Sequence, residues 1–340
     1  MEKPIIKVGI VGISGYSGRE LLRLLLDHPQ AEVVYVSANT TSGPVADIWP
    51  EFAGKTDLVC SKYDLDEATK AELIFLATPH TVSMKLAPEL LERNVRVIDI
   101  SGDFRLSSAE EYAKWYKTSR HEAPHLLDDA VYGLPEIYSE RIKDARLVAN
   151  PGCYPTVSIL SVAPLLKLGI NSIHIDAKSG VSGAGIAHTE HLLADMKDNF
   201  KAYRILSHQH SPEIIEQIGL LAGHSLPVAF VPHLLPIERG IFATVYVSLQ
   251  EPLTQAAAQQ LFEDFYKDKP FIEVVPDEIE LELKTVVGTN NIQIHVAADP
   301  TQKLLIITST IDNLIKGASG QAVQNFNLIY GFDQKAGLDS

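Results

Sequence analysis

The sequence predicts a two-domain α/β protein: a mostly parallel, doubly wound sheet first, then a large mixed sheet with helices on one face. Three observations carry this. The chain has 340 residues, more than one typical hydrophobic core holds. Up to Asn150, short apolar runs alternate with stretches of helical periodicity, the pattern of successive βα units. From Ser172 onward, longer runs alternate with period two, as broad half-buried strands do. The boundary is expected between Asn150 and Pro151.

Composition narrows the function classes. Hydrophobic residues make up 46% and charged residues 21%, the balance of a soluble globular protein. No apolar run approaches the roughly 20 residues of a membrane span, and the opening "MEKPIIKVGIVG" lacks a signal-peptide layout. The net charge of −14 argues against sequence-independent binding of nucleic acid. Two cysteines make no disulfide framework, so a reducing cytoplasmic compartment is expected. No metal site is expected.

The elements follow in order. Lys7 to Val11 reads as a buried strand, and the leucines of Glu20 to Asp27 as a helix. Between them, in "GISGYSG", Gly12, Gly15 and Gly18 fall at the strand-to-helix turn. Glycine there permits positive φ and lets a pyrophosphate approach the helix N-terminus, where free N–H groups favour anions. The turn is read as a dinucleotide site of the Rossmann type, with Ser14, Tyr16 and Ser17 among the contacts. The end of the next strand, "VSANTTSG", carries Ser37, Asn39, Thr40, Thr41 and Ser42 and no carboxylate. A carboxylate would repel a 2′-phosphate, whereas hydroxyls and an amide donate to it, so the cofactor expected is NADP.

"AELIFLATPH" is a further strand, with Thr78 and Pro79 at a cofactor-facing turn. "TVSMKLAPELLERN" is a helix, "VRVIDISGDFRL" a strand and "SAEEYAKWYK" another helix. Ligands of such sheets lie outside the carboxyl ends of strands, where Ser101, Asp103 and Arg105 fall. Asp103 and Arg105 have the alternative of pairing with one another on the surface.

"RLVANPGCYPTVSILSVAPLLKLG" reads as a short strand and then a helix running to Leu168, with Cys153 at its N-terminus. Helix N–H groups stabilise a thiolate and make the sulfur nucleophilic near neutral pH. A structural cysteine would sit in the apolar stripe among Val157, Leu160 and Val162. Asn150 adds an amide nearby. Cys60, in "TDLVCSKYD", has no such setting and is expected to pack.

A nucleophile that attacks a carbonyl needs an acid/base, and "KAYRILSHQHSPEIIEQIGLL" offers His208 and His210. Both precede a helix expected to begin with Ser211 as N-cap, Pro212 first and Glu213 in the first turn. Only one of the two is expected to stand within hydrogen-bond reach of the carbonyl bound to Cys153, its neighbour two positions away in the loop projecting to the other side. "SGVSGAG" follows the strand "SIHIDAK", where Ser182 and Gly183, with Gly180 and Gly185, suit an anion nest or close cofactor approach. "EPLTQAAAQQLFEDFYKDKPFIEV" is a helix and a strand. "IKGASGQAVQNFNLIYGF" is a helix with one apolar face, Ala318, Ala322, Phe326 and Ile329. The tail "DQKAGLDS" is expected to fray.

These motifs, with "IDISGDFRL", "YGLPEI", "NPGCYPT", "HQHSPEI" and "DNLIKGASGQAVQN", resemble the N-acetyl-gamma-glutamyl-phosphate reductases of the aspartate-semialdehyde dehydrogenase-like superfamily. The resemblance covers nearly the whole chain. It implies an NADP-binding Rossmann domain over 1–150 and a glyceraldehyde-3-phosphate dehydrogenase-like α+β catalytic and dimerisation domain over 151–313. A last helix, about 314–340, is implied to return to the first domain, with Asn313 and Gly317 near the nicotinamide. It implies Cys153 as nucleophile, favours His208 over His210 as acid/base, and makes Arg105, Asn150, His210 and Glu213 substrate-binding candidates, with Arg204. Relatives often carry an arginine in the segment matching "VSANTTSG", which this chain lacks.

The implied reaction is NADPH-dependent reduction of N-acetyl-glutamyl 5-phosphate through a cysteine thioester, in arginine biosynthesis. The alternatives are reduction of aspartyl phosphate or an N-modified aminoadipyl phosphate, or a non-catalytic NADP-binding regulator. A cytoplasmic homo-oligomer, dimer or tetramer, is expected, since the open sheet face needs a cover.

Overall fold

The computed structural model describes residues 4–338. Its contacts divide the chain into two compact units, one running to Gly152 and resuming at Ala318, the other Cys153–Gly317.

The first unit holds strands β1 (Ile6–Val11), β2 (Ala31–Ser37), β3 (Gly43–Pro44), β4 (Val59–Cys60), β5 (Leu73–Leu76), β6 (Arg96–Asp99), β7 (Val131–Tyr132) and β8 (Leu147–Ala149). Its helices are α1 (Tyr16–Leu26), α2 (Val45–Ile48), α3 (Leu65–Ala68), α4 (Ser83–Glu92), α5 (Ala109–Tyr116) and α6 (Pro135–Lys143). Six strands form a sheet in the order β2-β1-β5-β6-β8-β7, with every neighbouring pair parallel. β3 and β4 make a small antiparallel pair. Strands so placed are buried on both faces, which is why "LIFL" reads as a continuous apolar run. Strand order reverses between β1 and β5, and the turns after these two strands meet there. Ala77 N–H donates to Val11 O at 2.8 Å.

The second unit begins with α7 (Cys153–Val162) and β9 (Ile170–Ser179), then α8 (Ile186–Asp195), β10 (Lys201–Ala202), α9 (His210–Ala222), β11 (Val228–Leu234) and β12 (Ile241–Leu249). It closes with α10 (Gln255–Tyr266), β13 (Ile272–Val274), β14 (Ile292–Asp299) and β15 (Leu304–Ile311). Seven strands form one mixed sheet, β10-β11-β9-β12-β15-β14-β13. In β12, Ile241, Ala243, Val245 and Val247 are buried, while Phe242, Thr244 and Tyr246 on the alternate face stay partly exposed. Helix α7 ends sooner than expected. After Val162 the chain tightens into a 3₁₀ turn, Ala163–Leu165, because Pro164 has no N–H to continue the α-helical ladder.

The C-terminal segment departs furthest from expectation. Ile315–Ser319 is a π-helical turn, and α11 (Gly320–Ile329) follows it. Every residue of α11 is buried, so it has no solvated face. Polar side chains on it bond within the unit: Asn325 Nδ2 donates to Gly133 O and Asn150 Oδ1, and Gln324 Nε2 to Glu136 Oε1. Nor does the described part of the tail fray. Asn327 Nδ2 donates to the carbonyls of Gln334 and Ala336, and Leu338 is buried. The last two residues of the tail lie outside the described residues. Among the described residues, no helix is long and apolar enough to cross a membrane.

Candidate active site

In the first unit the glycine turn forms as its residues dictate. Gly12 has φ 102°, and a Cβ there would collide with the Ala77 carbonyl. Gly18 packs equally close to the Gly12 carbonyl. Gly15 is different: a Cβ would meet nothing nearer than Gly12 O at 3.8 Å, which leaves open space beside the helix start. Helix α1 has no capping side chain and no acidic residue in its first turn. Ser14, Tyr16 and Ser17 are half-buried around this start. The arrangement fits a pyrophosphate.

Ser37 ends β2, and its carbonyl accepts the N–H groups of Gly12 and Ile13 at 2.8 and 3.1 Å. Its buried hydroxyl has no partner among the described residues. Asn39 and Thr40 follow, exposed. A hydroxyl and an amide with no carboxylate beside them suit a 2′-phosphate. Thr78 and Pro79 lie after β5, at the same reversal of strand order, and Thr78 Oγ1 bonds Ser83 Oγ at 2.9 Å.

The end of β6 is more deeply built than the sequence suggests. Asp103 and Arg105 are both buried, so neither belongs to a surface pair. Arg105 donates from Nε to Asn150 O at 2.8 Å and from Nη2 to Ile100 O at 2.7 Å. Asn150 Nδ2 donates to Ala318 O at 3.0 Å. Asp99, wholly buried, accepts the N–H and hydroxyl of Ser101, each at 2.9 Å. Burial, and then the neighbouring Asp103 charge, hold its carboxyl above the usual carboxylate range.

In the second unit Cys153 is half-buried and opens α7. Gly317 lies against it: a Cβ on Gly317 would stand 2.7 Å from the Cys153 Cβ. Asp312 holds this loop, accepting from Leu314 N–H at 2.8 Å and from Gly288 N–H at 2.8 Å. Asn313 accepts the Gly240 N–H at 2.6 Å and donates to Ser182 Oγ at 3.0 Å, so two predicted positions bond directly. A Cβ on Gly183 would have only Ser179 Oγ and Asn313 Nδ2 within reach, at 3.8 and 3.9 Å. Cys60, by contrast, is buried in the first unit, and its thiol is pushed up by desolvation.

His208 is buried in an aromatic box of Tyr154, Tyr203 and Phe230. Its Nδ1 accepts the His210 backbone N–H at 3.1 Å, which leaves the ring proton of the neutral imidazole on Nε2. Nε2 faces Tyr203 Oη at 3.4 Å, and Tyr203 Oη bonds Tyr154 Oη at 3.3 Å. Burial, helped by the Arg204 charge, pushes His208 down to about 3. Burial also raises both tyrosines, Tyr203 to about 12, with the Cys153 charge contributing to each.

Two expectations about this stretch need correction. Helix α9 starts at His210 with Gln209 as N-cap, because Ser211 N–H already bonds His208 O at 2.9 Å. Ser211 is thus inside the turn, and its buried hydroxyl caps nothing. The same turn brings the rings of His208 and His210 together, centroids 4.9 Å apart and both edge-on to Tyr154. They do not project to opposite sides. Glu213 is buried in the first turn of α9. Sequence reasoning passed over Tyr154, Tyr203 and Asp99. A tyrosine five residues before a candidate histidine, and a carboxylate ending an apolar strand, were the available signals.

Residues 7–145 match the semialdehyde dehydrogenase NAD-binding domain, and residues 153–313 the semialdehyde dehydrogenase dimerisation domain. The N-acetyl-gamma-glutamyl-phosphate reductase of Acinetobacter baumannii (strain AYE) is 45% identical over 344 residues, covering 98% of each chain. That of Desulforudis audaxviator is 46% identical over 340 residues with the same coverage. Aspartate semialdehyde dehydrogenase II from Vibrio cholerae, complexed with ASA, superposes with a TM-score of 0.74 at 17% identity, over 96% of this chain and 98% of that one. Aspartate semialdehyde dehydrogenase with NADP from Candida albicans gives 0.71 at 14% identity, over 98% and 99%. These two share the fold. The relatives' identity along nearly the full length decides the family: the chain belongs to the N-acetyl-gamma-glutamyl-phosphate reductases, built from semialdehyde dehydrogenase domains.

Proposed function

We propose that this chain catalyses the NADPH-dependent reduction of N-acetyl-glutamyl 5-phosphate to N-acetyl-glutamate 5-semialdehyde and phosphate, in arginine biosynthesis. The observation that carries the reading is the setting of Cys153. It stands at the N-terminus of α7, closed on one side by Gly317, with the Tyr154–Tyr203–His208 cluster in the same unit.

Cys153 Sγ, held as thiolate by the helix N–H groups, attacks the acyl-phosphate carbonyl carbon; the C–O bond to phosphate breaks and a thioester remains. When bound, NADPH supplies the hydride that reduces the thioester carbonyl. The thiolate of Cys153 is then expelled as the oxygen re-forms its double bond, releasing the aldehyde. His208 is neutral throughout, so its Nε2–H is a hydrogen-bond donor for the oxygen that carries negative charge in both steps. A neutral imidazole can donate to a developing oxyanion without itself carrying charge in a buried site. His210 and Glu213, on the first turn of α9, are assigned to the substrate's polar groups.

Residues 1–150, with about 314–340, are assigned to NADP binding and 151–313 to catalysis and subunit association. Gly12, Ser14, Gly15, Tyr16, Ser17 and Gly18 would hold the pyrophosphate, Ser37, Asn39 and Thr40 the 2′-phosphate. The partly exposed face of β12 supports a homo-oligomer. Localisation is assigned as cytoplasmic.

The reverse reaction tests the reading. With NADP⁺ and phosphate, N-acetylglutamate semialdehyde should turn over and aspartate semialdehyde should not. Turnover of the second alone would reassign the substrate.

A further inference from the structure

The turn after β5 has no glycine, yet Thr81 sits in the left-handed region with φ 74°. A β-branched residue there is strained, by about 1–3 kcal/mol. Helix α4 starts behind it on Val82, whose side chain caps nothing. Asp103 supplies both deficits from the end of β6. Its Oδ1 accepts the Thr81 N–H at 2.8 Å and its Oδ2 the Met84 N–H at 3.0 Å. Bonds from helix-start N–H groups to a carboxylate are among the strong ones, and here they hold Thr81 in an unfavourable conformation. Asp103 is itself fixed. Tyr112 Oη donates to Oδ1 at 2.6 Å, and His121 Nε2 lies 2.7 Å from the Asp103 carbonyl. Next to it, Gly102 N–H donates to His80 Nδ1 at 3.1 Å, tying a second residue of the turn to the same strand end.

We propose that Asp103 is a positioning residue for the nicotinamide cofactor: it fixes the Thr78–Thr81 turn in the shape that receives the nucleotide, without touching the nucleotide. This rests on the reading that Thr78 and Pro79 meet the cofactor.

Calorimetric titration of the full-length protein with NADPH, beside steady-state kinetics, tests it. Asp103→Asn keeps the volume but turns one acceptor into an NH₂ group facing a backbone N–H. The Kd for NADPH should rise about tenfold, with KM for NADP⁺ following, while kcat at saturating cofactor and KM for the semialdehyde stay within about twofold. Tyr112→Phe removes one donor to Oδ1, keeps the ring, and should raise the same Kd about two- to threefold. An unchanged Kd in folded Asp103→Asn, or in Tyr112→Phe if the first variant does not fold, overturns the proposal. The exposed Pro79→Glu tests the underlying reading by itself. Wild-type affinity there overturns the cofactor contact, whereas weakened Pro79→Glu beside wild-type Asp103→Asn overturns the positioning role alone.

Discussion

Gly317 and Cys153 are packed so closely that a methyl group on the glycine would lie 2.7 Å from the cysteine Cβ. The π-helical turn that carries Gly317 therefore fixes where the sulfur stands, a recurrent use of π turns. Gly317→Ala should move the sulfur by a few tenths of an ångström or more. Since small misplacements of reacting groups cost up to about 10²-fold in rate, kcat should fall on that order while the variant stays folded. Single-turnover kinetics with circular dichroism checks both. Unchanged kcat would mean that the loop yields freely.

The two histidines should separate kinetically. His208→Asn shortens and displaces the donor, and should lower kcat by about 10²–10³. His210→Asn should act mainly on substrate KM. A kcat loss confined to His210 would transfer the role to that residue. The pH profile adds a second check. With His208 pushed down to about 3, kcat should show no inflection from this group between pH 6 and 7.

Much of this was legible because the relevant signals are local. The glycine spacing after β1, the apolar run of β5 and the cysteine at a strand-to-helix turn each report a backbone requirement that neighbouring residues alone create. What the sequence hid depends on partners far along the chain. Helix α11 reads as amphipathic, yet Gln324 and Asn325 are buried because Glu136 and Gly133 satisfy them from nearly two hundred residues away. The His208–His210 geometry failed for a shorter-range reason. Residues two apart share a side even in extended backbone, so the two rings were never bound to diverge, and the turn closed by Ser211 N–H to His208 O brings them into contact.

Asp99 makes stability depend on pH. Its folded pKa is raised to about 7, against an unfolded value of about 3.9. Between these values the folded chain holds a proton that the unfolded chain has released, so this group costs stability increasingly as pH rises from about 4 to 7. Asp99→Asn should therefore raise stability by about 1–2 kcal/mol at pH 8 and leave it nearly unchanged at pH 4. Thermal melts at the two pH values decide. A uniform loss at both would show that Ser101 depends on the carboxylate form.

NADPH should bind more tightly than NADH, because no carboxylate follows β2. Asn39→Asp should weaken NADPH binding by about tenfold or more and leave NADH nearly unaffected, by placing a like charge near the 2′-phosphate. Titration of both nucleotides measures this. An equal effect on the two would place Asn39 away from that phosphate.

The central claim, a thioester on Cys153, is tested most directly by rapid mixing with N-acetylglutamate semialdehyde and NADP⁺ in the absence of phosphate. With no phosphate to accept the acyl group, the reaction should stop after a stoichiometric burst of NADPH. Intact-mass and peptide analysis should then find the acyl group on Cys153, and Cys153→Ser should show neither burst nor adduct. Full turnover on adding phosphate, with no burst and no acyl group on Cys153 beforehand, would contradict the covalent account.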